Sequence, residues 1–200
     1  MGNTAASLIS DKLGTRVEVG SVSYGLLNRF VVDDLSIYDK SGLEMLKVSR
    51  ASAKLSIREL LRGNIVITSS QLFGANAKLY KADVQSMPNY QFVIDSLKSD
   101  SDKSSELHLA IHSLIVRNGE VSYDVTNVPE TKGILNPSHL HISNLSSHIV
   151  LKNLTDKAFD IKVKRLSFSE KSSLDVRSLI FRLKVDDDKY VIKDFTFELP

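Results

Sequence analysis

Leu107–Asp124, LHLAIHSLIVRNGEVSYD, is the stretch whose reading decides the fold. Leu109 and Ile111 alternate as on one face of a strand, but the next apolar pair, Leu114 and Val116, comes three residues on instead of two. Strand side chains alternate between faces, so one extra residue sends the apolar set to the other face unless the backbone bulges or bends there. The spacing φ-x-φ-x-x-φ-x-φ therefore places a corner at Ser113. Beyond it, Asn118-Gly119 supplies the residue pair favoured in a type I′ hairpin turn. Counting outward pairs Arg117 with Glu120, Val116 with Val121 and Leu114 with Tyr123, a hairpin with one apolar face.

The same spacing recurs without any shared residue identity. It fits Val17, Val19, Val22, Tyr24; Phe30, Val32, Leu35, Ile37; and Leu46, Val48, Ala51, Ala53. It returns at Ile161, Val163, Leu166, Phe168; at Leu174, Val176, Leu179, Phe181; and at Tyr190, Ile192, Phe195, Phe197, with a partial copy at Leu140, Ile142, Leu145. Ile65–Tyr80 also resembles the deciding stretch, with Ile67 falling on Leu109, Leu72 on Leu114 and Asn76 on Asn118. The copies are unevenly spaced, which argues for one sheet of similar bent strands and against a strict solenoid. The expected fold is mainly β: an elongated, curved antiparallel sheet or U-shaped groove.

Four sections follow in order. Residues 3–14 form a short amphipathic helix closed by Gly14; 15–95 are β-rich; 96–106 are a polar, serine-rich flexible loop; 107–200 continue the same sheet. SIRELL, Ser56–Leu61, is a candidate helical turn. A content of 42% hydrophobic and 25% charged residues over 200 residues is that of an ordinary globular chain. No apolar run approaches the roughly 18 residues that a bilayer span needs. Both ends look cut within a longer pattern, so an anchor is expected to precede this segment.

Chemistry is sparse. Cysteine is absent, which excludes disulfides and thiolates. A net charge of +2, no tryptophan and no basic stripe with stacking aromatics suggest no nucleic-acid partner, and none is expected. His108 with His112, and His139 with His141, would each share a strand face, but zinc needs three or four converging ligands and none stands at a fixed spacing. The histidines are therefore expected to face solvent. The acidic pairs Asp33-Asp34 and Asp186–Asp188 are expected in turns. No catalytic motif is present, and neither an enzyme, a metal nor a cofactor is expected. Asn144-Leu-Ser146 and Asn153-Leu-Thr155 match the glycosylation sequon. A sheet with few helices to cover it must bury its apolar face, either as a dry sandwich or as a trough open to something apolar.

Several ordered motifs resemble the N-terminal periplasmic region of the AsmA-like family, most closely its TamB (translocation and assembly module) branch of Bacteroidetes type. They are the helix ending in Leu13-Gly14-Thr15, the strand Val17–Val22, the run Val32–Asp39, Leu60-Leu61-Arg62-Gly63 before Ile65, and Asn89–Leu97 (NYQFVIDSL). The resemblance implies a periplasmic segment of a long protein anchored in the inner membrane, with an apolar β-groove that carries phospholipid acyl chains between inner and outer membranes. It equally implies a scaffold for outer-membrane protein assembly, acting with a β-barrel partner by strand pairing. Candidates for a groove lining are Leu109, Ile111, Leu114, Val116, Val121, Tyr123, Phe168, Phe181, Phe195 and Phe197.

Overall fold

The computed structural model describes residues 2–25, 29–56, 58, 65–97, 109–154, 158–186 and 189–200. Helix α1 (Gly2–Leu13) precedes β1 (Val17–Gly25), β2 (Arg29–Tyr38), β3 (Glu44–Leu55) and β4 (Ile65–Lys81). Helix α2 (Gln91–Leu97) leads to β5 (Leu109–Ile111), β6 (Ser113–Val125), β7 (His139–Leu154), β8 (Ala158–Glu170), β9 (Leu174–Val176), β10 (Ser178–Asp186) and β11 (Lys189–Glu198). All eleven strands join one open sheet, in the order β1-β2-β3-β4-β6-β7-β8-β10-β11, with β5 beside β4 and β9 beside β8.

The expected mainly β, largely antiparallel sheet is present, with one departure. β4 pairs with β5 and β6 in parallel. Parallel neighbours need a crossover of a dozen or more residues, and the segment carrying α2 supplies it. The likeness of Ile65–Tyr80 to the deciding stretch is thus a likeness of sheet neighbours, in a register two residues beyond the one the sequence suggests: Ile67 faces Ile111 and Leu72 faces Val116. α2 also takes Ser96 and Leu97 out of the predicted loop, whose remaining residues lie outside the described ones. So does the predicted turn at Ser56–Leu61, except for Ser56 and the helical Arg58.

The Asn118-Gly119 hairpin does not form. β6 runs straight through it, paired to β4 on one side and β7 on the other. A type I′ turn needs positive φ at both central residues; Asn118 has it (52°) and Gly119 does not. The single left-handed residue makes a bulge, and the register against β7 slips on either side of Gly119. The break at Ser113 is real: β5 ends at Ile111, and His112 bridges to β6 by donating its N–H to Ile67 O and accepting from Leu151 N–H.

This device repeats across the sheet and explains the recurrent spacing. Left-handed residues stand in mid-strand at Asp34, Gly74, Asn118, Asn144 and Asp194, all of types that tolerate positive φ. Asp33-Asp34 is therefore not a turn. The double-x positions also line up between neighbours: Val19 faces Leu35 and Ser21 faces Asp33, which sets Gly20 against Asp34. Asp34 in turn faces Ser49, and Ser49 faces Gly74. Across β1–β4 the extra residue is absorbed at the same level, so apolar side chains before and after the crease stay on one face there.

Gly74 shows how tight the crease is. Its φ is +61°, and a Cβ there would sit 2.7 Å from Ser49 Oγ. Gly74→Val is expected to cost about 2 kcal/mol in urea unfolding, with Ser49→Ala recovering only part because the backbone strain persists. A wild-type unfolding midpoint for Gly74→Val would remove the crease as described.

One end of the sheet is closed by a polar cluster. Buried Asp39 accepts from Ser41 N–H, Leu43 N–H, Tyr80 Oη and Asn89 Nδ2. Lys40 donates to Leu13 O at the C-terminus of α1, and its ammonium lies 5.0 Å from the Phe92 ring centroid.

Candidate functional site: the apolar sheet face

Directly paired residues stand side by side on one face, so the strand registers assemble rows that cross the sheet. One row runs Val17, Ile37, Leu46, Ala77, Val121, Ile142. Beyond the crease another runs Val22, Val32, Ala51, Leu72, Val116, Ser147, Leu166. A third runs Phe30, Ala53, Ser70, Leu114, Ile149, Val163, Phe181. The opposite face carries Glu18, Asp33, Lys47, Arg50, Asn76, Glu120, Asp160 and Arg182. Its ion pairs include Arg50–Asp33 and Arg182–Asp160, each guanidinium holding its partner carboxyl below the usual range.

The apolar face is incompletely covered. Val48, Ala75 and Val116 form its packed centre, with Leu35, Leu46, Ala51, Leu72, Leu114 and Leu145 against them. Among the described residues Val48 alone is a large side chain with essentially no exposure. Exposure grows toward β11, where Ile192 is 62% and Phe195 64% exposed. The helices pack at the other side, α1 against β1 and α2 against α1 and β5.

Of the ten sequence candidates, Leu114, Val116, Val121 and Phe181 lie in the rows just described. Tyr123 lies between Leu79 and Leu140. Ile111 pairs with Ile67, and Leu109 pairs with Ile65 at the backbone, its side chain being outside the described set. Phe168 pairs with Val176, Phe181 with Val163, and Phe197 with Leu179. Val116 belongs to the packed centre and is buried, so it is core more than lining. The candidates omitted Leu35, Leu46, Leu72 and Leu145, which surround that centre. Their strand copies are visible in the sequence, but Ala75, Gly119 and Ser147 interrupt the rows, and only the registers join them.

The histidines do not behave as a set. His139 is nearly covered, with Nδ1 2.9 Å from Asp124 Oδ1 and Nε2 2.7 Å from Val128 O. The Asp124 carboxylate at one nitrogen and the Val128 carbonyl at the other both favour the protonated ring and raise its pKa. His148 sits near Ser113 Oγ, and burial lowers its pKa. These two are not solvent-facing as expected. No group of three metal-ligating side chains exists among the described residues.

A raised folded-state pKa means that the His139 contribution is complete below the ordinary histidine value and vanishes as pH climbs through the raised one. Stability should therefore decline with rising pH above about 6.5. His139→Phe should remove that part of the slope in urea midpoints measured against pH. Glu170 has the opposite sign. Burial pushes its carboxyl up, but hydrogen bonds from Ser172 and from the His141 N–H outweigh it and leave it lowered. Its contribution is lost in acid.

No protein-family model, no curated protein and no solved structure matches the chain.

Proposed function

We propose that this chain is a membrane-proximal periplasmic segment of an inner-membrane-anchored bridge, and that its apolar sheet face carries phospholipid acyl chains toward the outer membrane. One observation supports this above the rest: apolar rows continue over six or seven neighbouring strands of the sheet while, among the described residues, one large side chain is fully buried. At about 4.8 Å per strand the face extends roughly 40 Å, longer than one extended acyl chain. Each methylene taken from water is worth about 0.8 kcal/mol, so the face holds a chain. Because aliphatic side chains repeat from row to row, a shift along the sheet exchanges one set of contacts for an equivalent set, and no deep trap interrupts the path. The charged headgroup stays in water at the rim, where burying it would cost far more than it gains.

A second reading rests on β11, whose outer side no strand pairs with among the described residues: the segment is a scaffold for outer-membrane protein assembly with a β-barrel partner, by strand addition. The chain has no tryptophan, so an engineered one reports alone. Phe181→Trp fluorescence should be quenched by phospholipid brominated on its acyl chains, and Lys47→Trp on the polar face should not. Equal quenching at both sites, or at neither, would remove the conduit reading.

A further inference from the structure

The loop between β6 and β7, residues 126–138, is fastened one way at its ends and another in its middle. At the first end Thr126 and Asn127 donate their N–H groups to Lys81 O and Ala82 O, and Val128 N–H donates to Val125 O. At the second, Ser138 N–H donates to Asn136 Oδ1, His139 N–H to Asn136 O, and Val125 N–H to Ser138 O. None of these bonds involves a group that titrates. The segment between, 129–135, is exposed at every residue, so packing does little to hold it. Among the described residues two contacts hold it to the sheet: the carbonyl that leads into it, Val128 O, lies 2.7 Å from His139 Nε2, and Glu130 pairs with Lys171. The second is an exposed ion pair and is worth little. Between this segment and the β8–β9 turn lies a cavity of about 380 Å³, lined by Glu130, Lys132, Ile134, His141, Glu170 and Lys171 among others.

From this arrangement we infer that residues 129–135 are a strap over the cavity, latched by the protonated His139 ring, and that loss of one ring proton releases the strap and opens the cavity. An imidazolium donates from both nitrogens, to Asp124 and to Val128 O; a neutral ring has a single N–H. The carboxylate is the stronger acceptor and keeps that proton on Nδ1. The lone pair of Nε2 then faces the Val128 carbonyl oxygen, and an attraction becomes a repulsion. The charged and titratable groups around the ring are Tyr80 on β4, Asp124 on β6, Glu130 and Lys132 in the strap, His141 on β7, Glu170 on β8 and Lys171 in the turn. Asp124 and Glu130 favour the charged ring and raise its pKa. The latch is therefore complete below the ordinary histidine value and is lost as pH rises through the raised one. The anchors at the two ends of the loop do not titrate, so the strap lifts while the sheet stays folded.

The test uses the absence of cysteine, which lets spin labels go only where Lys132→Cys and Arg165→Cys put them, one in the strap and one exposed on β8. Double electron–electron resonance should show one narrow distance at about pH 6 and, at about pH 9, a second and longer population in at least half of the molecules. Circular dichroism should be the same at both. In the labelled protein, Asp124→Asn keeps an acceptor but removes the charge, and should move the midpoint of the change down by about one pH unit or more. A purely structural role for Asp124 would leave that midpoint in place. His139→Phe should show the longer population at both pH values, and His141→Gln should behave as the labelled parent. A distance that does not change by about pH 9, a midpoint that Asp124→Asn leaves where it was, a closed strap in His139→Phe, or a change abolished by His141→Gln would each overturn the inference. So would loss of the circular dichroism signal over the same range, since the sheet and not the strap would then be opening.

Discussion

Aspartate in place of Phe181 is expected to weaken phospholipid binding about a hundredfold while the urea midpoint stays near that of the wild type, a loss of about 2.8 kcal/mol. Phe181 stands half-buried on β10 beside Val163, opposite the bulge at Asp194 in β11. A passing acyl chain loses contact worth about 0.8 kcal/mol for each methylene no longer covered, and it must also strip water from a carboxylate. Three methylenes and a partial desolvation penalty reach the stated size. The fold bears the change because the ring is not sealed in a core and the new carboxylate keeps part of its hydration. Titration of a labelled phospholipid against Phe181→Asp, with urea unfolding of the same sample, separates the two effects. If the variant is unfolded, Phe181 is core and the conduit does not pass there.

The same substitution at Val48 should destroy the fold. Val48 is 0% exposed at the centre of the packed cluster, between Leu35 on β2 and Ala75 on β4. A carboxylate there would stand among Leu35, Leu46, Ala75 and Val116, and removing it from water costs several kcal/mol even after relaxation. That is comparable to the whole stability of a domain of this kind. Val48→Asp should be unfolded without denaturant, and Val48→Ala should lose about 2 kcal/mol. Ile192→Asp, on the same face but at the exposed edge, should change the midpoint by less than about 0.5 kcal/mol. Circular dichroism and urea unfolding of the three variants measure the gradient from a sealed centre to an open rim. Equal tolerance at Val48 and Ile192 would contradict it.

The contrast between these sites shows what was legible in the residues. The spacing that slips once in each strand announces bent strands and one sheet, because alternation is a local property of the chain. The capping glycine of α1 and the Asp39–Gly42 turn are local in the same way, and both stand where the sequence puts them. Asn118-Gly119 misleads because the dipeptide permits two outcomes, a reversal or a bulge. Which one forms depends on whether neighbours pair with both sides of the strand, and β4 and β7 do. Asp34 misleads for the same reason: the tolerance of left-handed backbone that favours aspartate in turns also serves in mid-strand bulges. His139 and Asp124 are 15 residues apart and meet only through the β6–β7 register, and no spacing announces that pair. The rows themselves are long-range. Alanine, glycine or serine fills some of their places, so one strand read alone does not disclose an apolar face.

The measurement that bears most directly on the conduit is photo-crosslinking in cells, with a photoreactive residue placed singly at Phe181, Phe195 and, on the opposite face, Lys47. Mass spectrometry of the adducts identifies what each site touches. Phospholipid adducts at Phe181 and Phe195, with none at Lys47, are the predicted result. Protein adducts without lipid at Phe181 and Phe195 would contradict the conduit and favour the assembly scaffold.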